Sequence, residues 1–80
     1  MSRKNALNIV GERVRIARQR RTPPLTQDEL SGQLAAYEVL LDRATVSKVE
    51  GGTRYVSDFE VRALCKVLGV SSGWLLGMEK

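Results

Sequence analysis

Histidine is absent from this 80-residue chain, cysteine occurs once, proline twice, and aromatic residues make up only 5%. Each shortage removes a class of chemistry. One cysteine allows no intramolecular disulfide, and without histidine there is no donor set for a zinc cluster. A catalytic centre needs a nucleophile with its base, a bound metal or paired acids, and here the carboxylates are scattered and imidazole is missing. The chain is therefore expected not to be an enzyme and to need no cofactor or metal. No apolar run approaches the roughly 18 residues that a membrane-spanning helix requires. The opening Met1-Ser2-Arg3-Lys4-Asn5 is basic, but neither an uninterrupted apolar stretch nor a small-residue cleavage site follows it, so a cytoplasmic location is expected. The few aromatics also give no stacking platform of the kind that modules binding structured RNA use.

What remains has the composition of an ordinary folded domain, 42% hydrophobic and 28% charged, and is long enough for one core rather than two. Cys65 falls with Val61, Leu64 and Leu68 at the spacing of one buried helix face, which makes it a small core hydrophobe rather than a reactive thiol. The formal charge of +4 is unevenly distributed. Arg3, Lys4, Arg13, Arg15, Arg18, Arg20 and Arg21 stand against Glu12 alone in the first 21 residues, whereas acidic side chains outnumber basic ones afterwards. Such a one-sided basic segment suits a polyanion, because each neutralised phosphate releases a counterion. A solvated basic helix face would have the same composition.

The pattern along the chain is helical. Leu7, Val10, Val14 and Ala17 form an apolar stripe, which predicts an amphipathic helix over residues 6–21. Thr22-Pro23-Pro24 ends it, since proline donates no hydrogen bond and biases its predecessor away from helix. Thr26 with Glu29 has capping-box spacing and opens a second helix, 27–37, with Leu30 and Leu34 inward. Glu38-Val39-Leu40-Leu41 either prolongs that helix or tucks Leu40 or Leu41 into the core from a turn, and a turn is expected. Asp42 caps a third helix, 43–50, with Val46 and Val49 inward, and Gly51-Gly52 closes it. Ser57 and Glu60 form a second capping box ahead of a fourth helix, 58–68, that Gly69 terminates. A short fifth helix, 72–77, brings Trp74, Leu75 and Leu76 back onto the bundle.

Three segments in this order, Leu25-Thr26-Gln27-Asp28-Glu29-Leu30, Thr45-Val46-Ser47-Lys48-Val49-Glu50-Gly51-Gly52 and Val70-Ser71-Ser72-Gly73-Trp74-Leu75-Leu76-Gly77, resemble the Cro and phage-repressor (XRE) type helix-turn-helix family over about residues 10–77. The resemblance implies an all-α, compact five-helix, lambda-repressor-like DNA-binding domain with its third helix in the major groove. It places Arg43, Ala44, Ser47 and Lys48 towards the bases. Arg43 and Lys48 can donate to guanine, Ala44 can meet a thymine methyl, and Ser47 can bond base or phosphate. Gln27 matches a phosphate-contacting position, Thr45 belongs with the same backbone contacts, and Thr53, Arg54 and Tyr55 form a second candidate clamp. Arg18 and Glu50 match an ion pair tying the first helix to the third. The chain departs from the compact family pattern in a longer turn between Leu34 and Val46 and a longer connector at Thr22-Pro23-Pro24. The longer turn is expected to present Tyr37 or Glu38 to the DNA backbone or to a partner.

The function implied is a sequence-specific regulator of transcription, most plausibly a bacterial or phage repressor, binding double-stranded DNA as a homodimer on a palindromic site. Trp74, Leu75 and Met78 either serve that dimer weakly or complete the core. The competing expectation is a helix-turn-helix fold used only for protein contacts, such as an antitoxin-like accessory subunit, since fold alone does not fix function. Large apolar residues on the solvent face of the third helix would favour it.

Overall fold

A computed structural model describes residues 6–80, and five helices and no strand occur among them: α1 Gly11–Arg20, α2 Gln27–Ala35, α3 Arg43–Glu50, α4 Asp58–Leu68 and α5 Ser72–Leu75. Arg3 and Lys4 lie outside the described residues. The all-helical expectation holds, with four corrected boundaries, the smallest being the end of α1 at Arg20 rather than residue 21. α1 starts at Gly11 rather than residue 6, because the Asn8 Oδ1 accepts the N–H groups of Val10 (3.0 Å) and Gly11 (2.8 Å) and so competes with a helical continuation. Leu7 consequently leaves the buried stripe and is 42% exposed, with its N–H donated to the Gly52 carbonyl at 2.7 Å.

α2 ends at Ala35 instead of residue 37. Val39 N–H reaches the Leu34 carbonyl (3.2 Å) and Glu38 N–H the Ala35 carbonyl (3.0 Å), the paired bonds of a Schellman closure. That closure needs a left-handed residue, and Glu38, at φ 62°, occupies the place glycine usually takes. The turn then buries Leu41 and leaves Leu40 in solvent, while the Ser31 hydroxyl donates to the Leu41 carbonyl at 2.6 Å. α3 closes in the same way on Gly52 (φ 75°), with Thr53 N–H on the Lys48 carbonyl and Gly52 N–H on that of Val49. α5 stops at Leu75, two residues early, as Gly77 (φ 80°) turns the chain.

Both expected capping boxes form. Thr26 Oγ1 accepts Glu29 N–H at 3.0 Å while Glu29 returns a carboxylate oxygen to Thr26 N–H at 2.8 Å, and Ser57 and Glu60 repeat the exchange at 3.2 and 3.0 Å. Each cap is worth about 1 kcal/mol.

The core gathers Val10, Val14 and Ala17 from α1, Leu30 and Leu34 from α2, Val46 and Val49 from α3, and Leu75 from α5, with Leu25 and Leu41 supplied by the connectors. At roughly 1.5–3 kcal/mol for each fully buried aliphatic side chain, this packing is the main source of stability. α4 touches α1, α2 and α5, so its buried face is wider than its predicted stripe: Ala63 and Val67 join Leu64 and Leu68 inside, while Val61 and Cys65 sit at the edge. Burial still raises the Cys65 thiol pKa, which suppresses the reactive thiolate.

α1 and α3 approach each other closely at Gly11. A Cβ on Gly11 would lie 2.1 Å from the Val49 carbonyl oxygen and 2.9 Å from that of Glu50, both fixed backbone atoms. Gly11→Ala is therefore expected to destabilise the fold by about 2–3 kcal/mol through overpacking. Glu38→Gly should instead stabilise it by about 0.5–1 kcal/mol, because relief of the left-handed backbone outweighs the added freedom of the unfolded chain. Urea titration of both variants checks the pair, and shifts of the same sign would contradict this account of the two turns.

Candidate nucleic-acid interface

α3 is a short helix pinned at both ends. At its start Asp42 Oδ1 accepts Thr45 N–H at 2.7 Å, and hydrogen bonds from the Thr45 hydroxyl and amide hold the Asp42 carboxyl below its ordinary pKa. The carboxylate also faces the positive end of the helix. With Val46 and Val49 buried, helical geometry turns Arg43, Ala44, Ser47 and Lys48 to the opposite side, where all four are exposed. Among the described residues none of these four makes a side-chain hydrogen bond. Their donors stay available for a partner.

At its other end α3 is tied to α1 through Arg18 and Glu50. Arg18 Nε and Nη2 meet the two Glu50 carboxylate oxygens at 2.7 and 2.9 Å, and Nη1 donates to the Leu25 carbonyl at 2.9 Å. The side chains are only 12% and 5% exposed. The hydrogen bonds to Glu50 raise the Arg18 pKa against the opposing effect of burial. Gln27 Nε2 adds a bond to the same carboxylate at 3.1 Å, so the amide nitrogen expected at a phosphate also ties α2 to this pair. Gln27 remains the first residue of α2, at an end with free backbone amides.

The segment after α3 is similarly anchored. Arg54 forms a two-pronged pair with Glu60 at 2.9 and 3.1 Å and donates to the Tyr55 carbonyl. Its fork is thus occupied inside the fold. Thr53 is exposed, its hydroxyl 3.3 Å from the Lys48 carbonyl, and Tyr55 is 73% exposed beside it. Thr45 is half-buried, with its N–H held by Asp42. Asn8, which the sequence reasoning missed, donates through Nδ2 to the carbonyls of Val49 (3.1 Å) and Arg54 (2.8 Å). An Asx residue just ahead of a helical stripe was the available signal.

The basic segment is rearranged by the fold. Arg13 stacks over the Trp74 ring at 4.8 Å and donates to the carbonyls of Trp74 and Glu79, and Arg21 donates to the Val67 carbonyl at 2.5 Å. With Arg18 committed to Glu50, Arg15 and Arg20 are the arginines of α1 left exposed. Of the five arginines of this segment among the described residues, three are structural.

Two capped helices joined by a turn, with the second presenting an outward polar face, are the parts of a helix-turn-helix DNA-binding fold. The chain belongs to this class: the family model described as "Helix-turn-helix domain" matches residues 9–75. Searches of curated proteins and of solved structures return no match. Among the described residues no cluster of three cysteines or carboxylates could hold a metal ion, and no helix is long and apolar enough to cross a membrane.

Because the Arg18–Glu50 pair is largely buried, Glu50→Ala strands a part-buried guanidinium and is expected to cost about 3–5 kcal/mol in guanidinium chloride titration. A loss below about 1 kcal/mol, the range of an exposed pair, would contradict the clamp. Acid sensitivity supplies a second check. Its hydrogen bonds to Arg54 hold the Glu60 carboxyl below its ordinary 4.5, so the stability it contributes is present above that value and is lost as pH falls through the lower folded-state pKa. Glu60→Gln should flatten the fall in stability below about pH 4.5. An unchanged slope would show that the pair carries no linkage.

Proposed function

We propose that this protein is a sequence-specific regulator of transcription, a repressor acting as a homodimer, which reads the major groove with α3. The observation that carries the proposal is the outward face of α3. Arg43, Ala44, Ser47 and Lys48 form a polar surface of small and cationic residues that make no side-chain hydrogen bond among the described residues, Lys48 being engaged only by charge attraction to Asp42, on a helix whose other face is locked into the core. Arg43 and Lys48 supply donors for guanine O6 and N7, Ala44 a methyl for thymine, and Ser47 a hydroxyl for base or phosphate. Gln27, Thr45, Thr53 and Tyr55, with the remaining Arg54 donor, supply backbone contacts that set the register without reading sequence. A two-fold dimer would double the DNA surface covered and match half-sites about one helical turn apart.

A purely protein-binding role calls for large apolar residues on the outer face of α3. The exposed large apolar residues, Leu7, Ile9, Tyr37, Leu40, Tyr55, Phe59 and Met78, all lie elsewhere. Selection of bound duplexes from a random pool at about 0.15 M salt tests the proposal, since nonspecific contacts are weak there. The expected result is a half-palindromic motif that relaxes at one position in Arg43→Ala. Salt-sensitive binding without enrichment, unchanged in Arg43→Ala, would overturn it.

A further inference from the structure

The longer turn that separates α2 from α3 builds a second surface. Tyr37 (48% exposed), Val39 and Phe59 (65% exposed) line a groove of about 490 Å³ between that turn and α4. Leu40, 84% exposed, stands next in the chain. The turn is held in a single shape by its Schellman bonds, by the Ser31 hydroxyl on the Leu41 carbonyl, and by the left-handed Glu38 backbone. A non-glycine residue kept at positive φ is the kind of strain that persists where the surroundings over-determine the backbone.

The opposite wall is a stripe of α4. Phe59, Arg62 and Lys66 fall at i, i+3 and i+7, so they share one face of the helix. The Arg62 guanidinium lies over the Phe59 ring at 5.5 Å, and neither Arg62 nor Lys66 has a carboxylate partner among the described residues. Aromatic walls with unmatched cations at the rim are complementary to a segment that carries carboxylates around an apolar side chain.

We propose that this groove docks an acidic segment of a second protein, with an aromatic or leucine side chain between Tyr37 and Phe59 and its carboxylates on Arg62 and Lys66. The site is separate from the outer face of α3 and does not rest on the DNA-binding proposal. Self-association and duplex binding through the same residues are the alternative outcomes that the test separates. Glu38 also lines the groove, but Arg62 and Lys66 together leave its lining with a net positive charge.

The test is to pan a phage-displayed library of random linear peptides on the full chain and to measure binding of an enriched synthetic peptide. The expected peptides carry Asp or Glu flanking an aromatic residue or leucine. Arg62→Glu and Phe59→Ser, each confirmed folded by circular dichroism, should weaken binding on the order of tenfold, while Arg43→Ala leaves it unchanged. Absence of enrichment, enrichment of peptides without acidic residues, or indifference to Arg62→Glu would overturn the proposal. So would a finding that Arg62→Glu acts on self-association or duplex binding and leaves peptide binding unaltered.

Discussion

The enclosed ion pair between Arg18 and Glu50 is the constraint around which the rest of the molecule is arranged. Two charges can be largely removed from water only if nearly every donor and lone pair is matched, and here the match draws on four parts of the chain. The guanidinium satisfies both carboxylate oxygens and the Leu25 carbonyl, while Gln27 completes the carboxylate from the start of α2. One interaction thereby sets α1, the connector and the beginning of α2 relative to the end of α3. Gly11 and Asn8 complete the junction by placing helix backbone and a side-chain amide against the Val49 carbonyl. The result is a helix immobilised along its inner face and C-terminal end, which leaves its outward residues free to meet a ligand without reorganising the core.

The fold also changes what the charge distribution means. A basic first quarter of the chain suggests an electrostatic footprint, yet Arg13 holds the C-terminal turn through Trp74 and Glu79, Arg18 holds α3, and Arg21 holds the end of α4. The cations left facing solvent are fewer and more dispersed, including Arg15 and Arg20 on α1 and Arg43 and Lys48 on α3. On the proposed function, specific placement matters more to recognition than bulk charge does. The groove beside α4 extends this logic, because Arg62 and Lys66 remain unmatched next to exposed aromatic rings.

Much of this arrangement could be derived from local sequence. The two capping boxes, the Asp42 cap, the inward Val46 and Val49 and the Arg18–Glu50 pairing all depend on short-range spacing or on the family pattern, and the structure contains each of them. What escaped depends on contacts distant in sequence. Asn8 stops α1 from starting earlier because it is also bound to the carbonyls of Val49 and Arg54, and Leu7 is drawn out to Gly52. Glu38 gives no local sign that it will adopt a left-handed backbone, since its side chain is not one that favours it. The choice between Leu40 and Leu41 for the core likewise follows from that turn rather than from hydrophobicity, which the two share. The Arg54–Glu60 pair was equally hidden, because a loop arginine and a capping-box glutamate each had a sufficient role alone.

The most direct test of the central claim, that a clamped α3 presents its outer face to DNA bases, is NMR mapping of the isotope-labelled chain titrated with a duplex selected for specific binding. The account predicts that the largest shifts fall on Arg43, Ala44, Ser47 and Lys48, with smaller ones at Gln27, Thr53 and Tyr55, while Val46, Val49 and the α4 groove residues Phe59 and Arg62 stay largely in place. Shifts centred on the α4 groove or on α1, with the outer face of α3 unmoved, would contradict it.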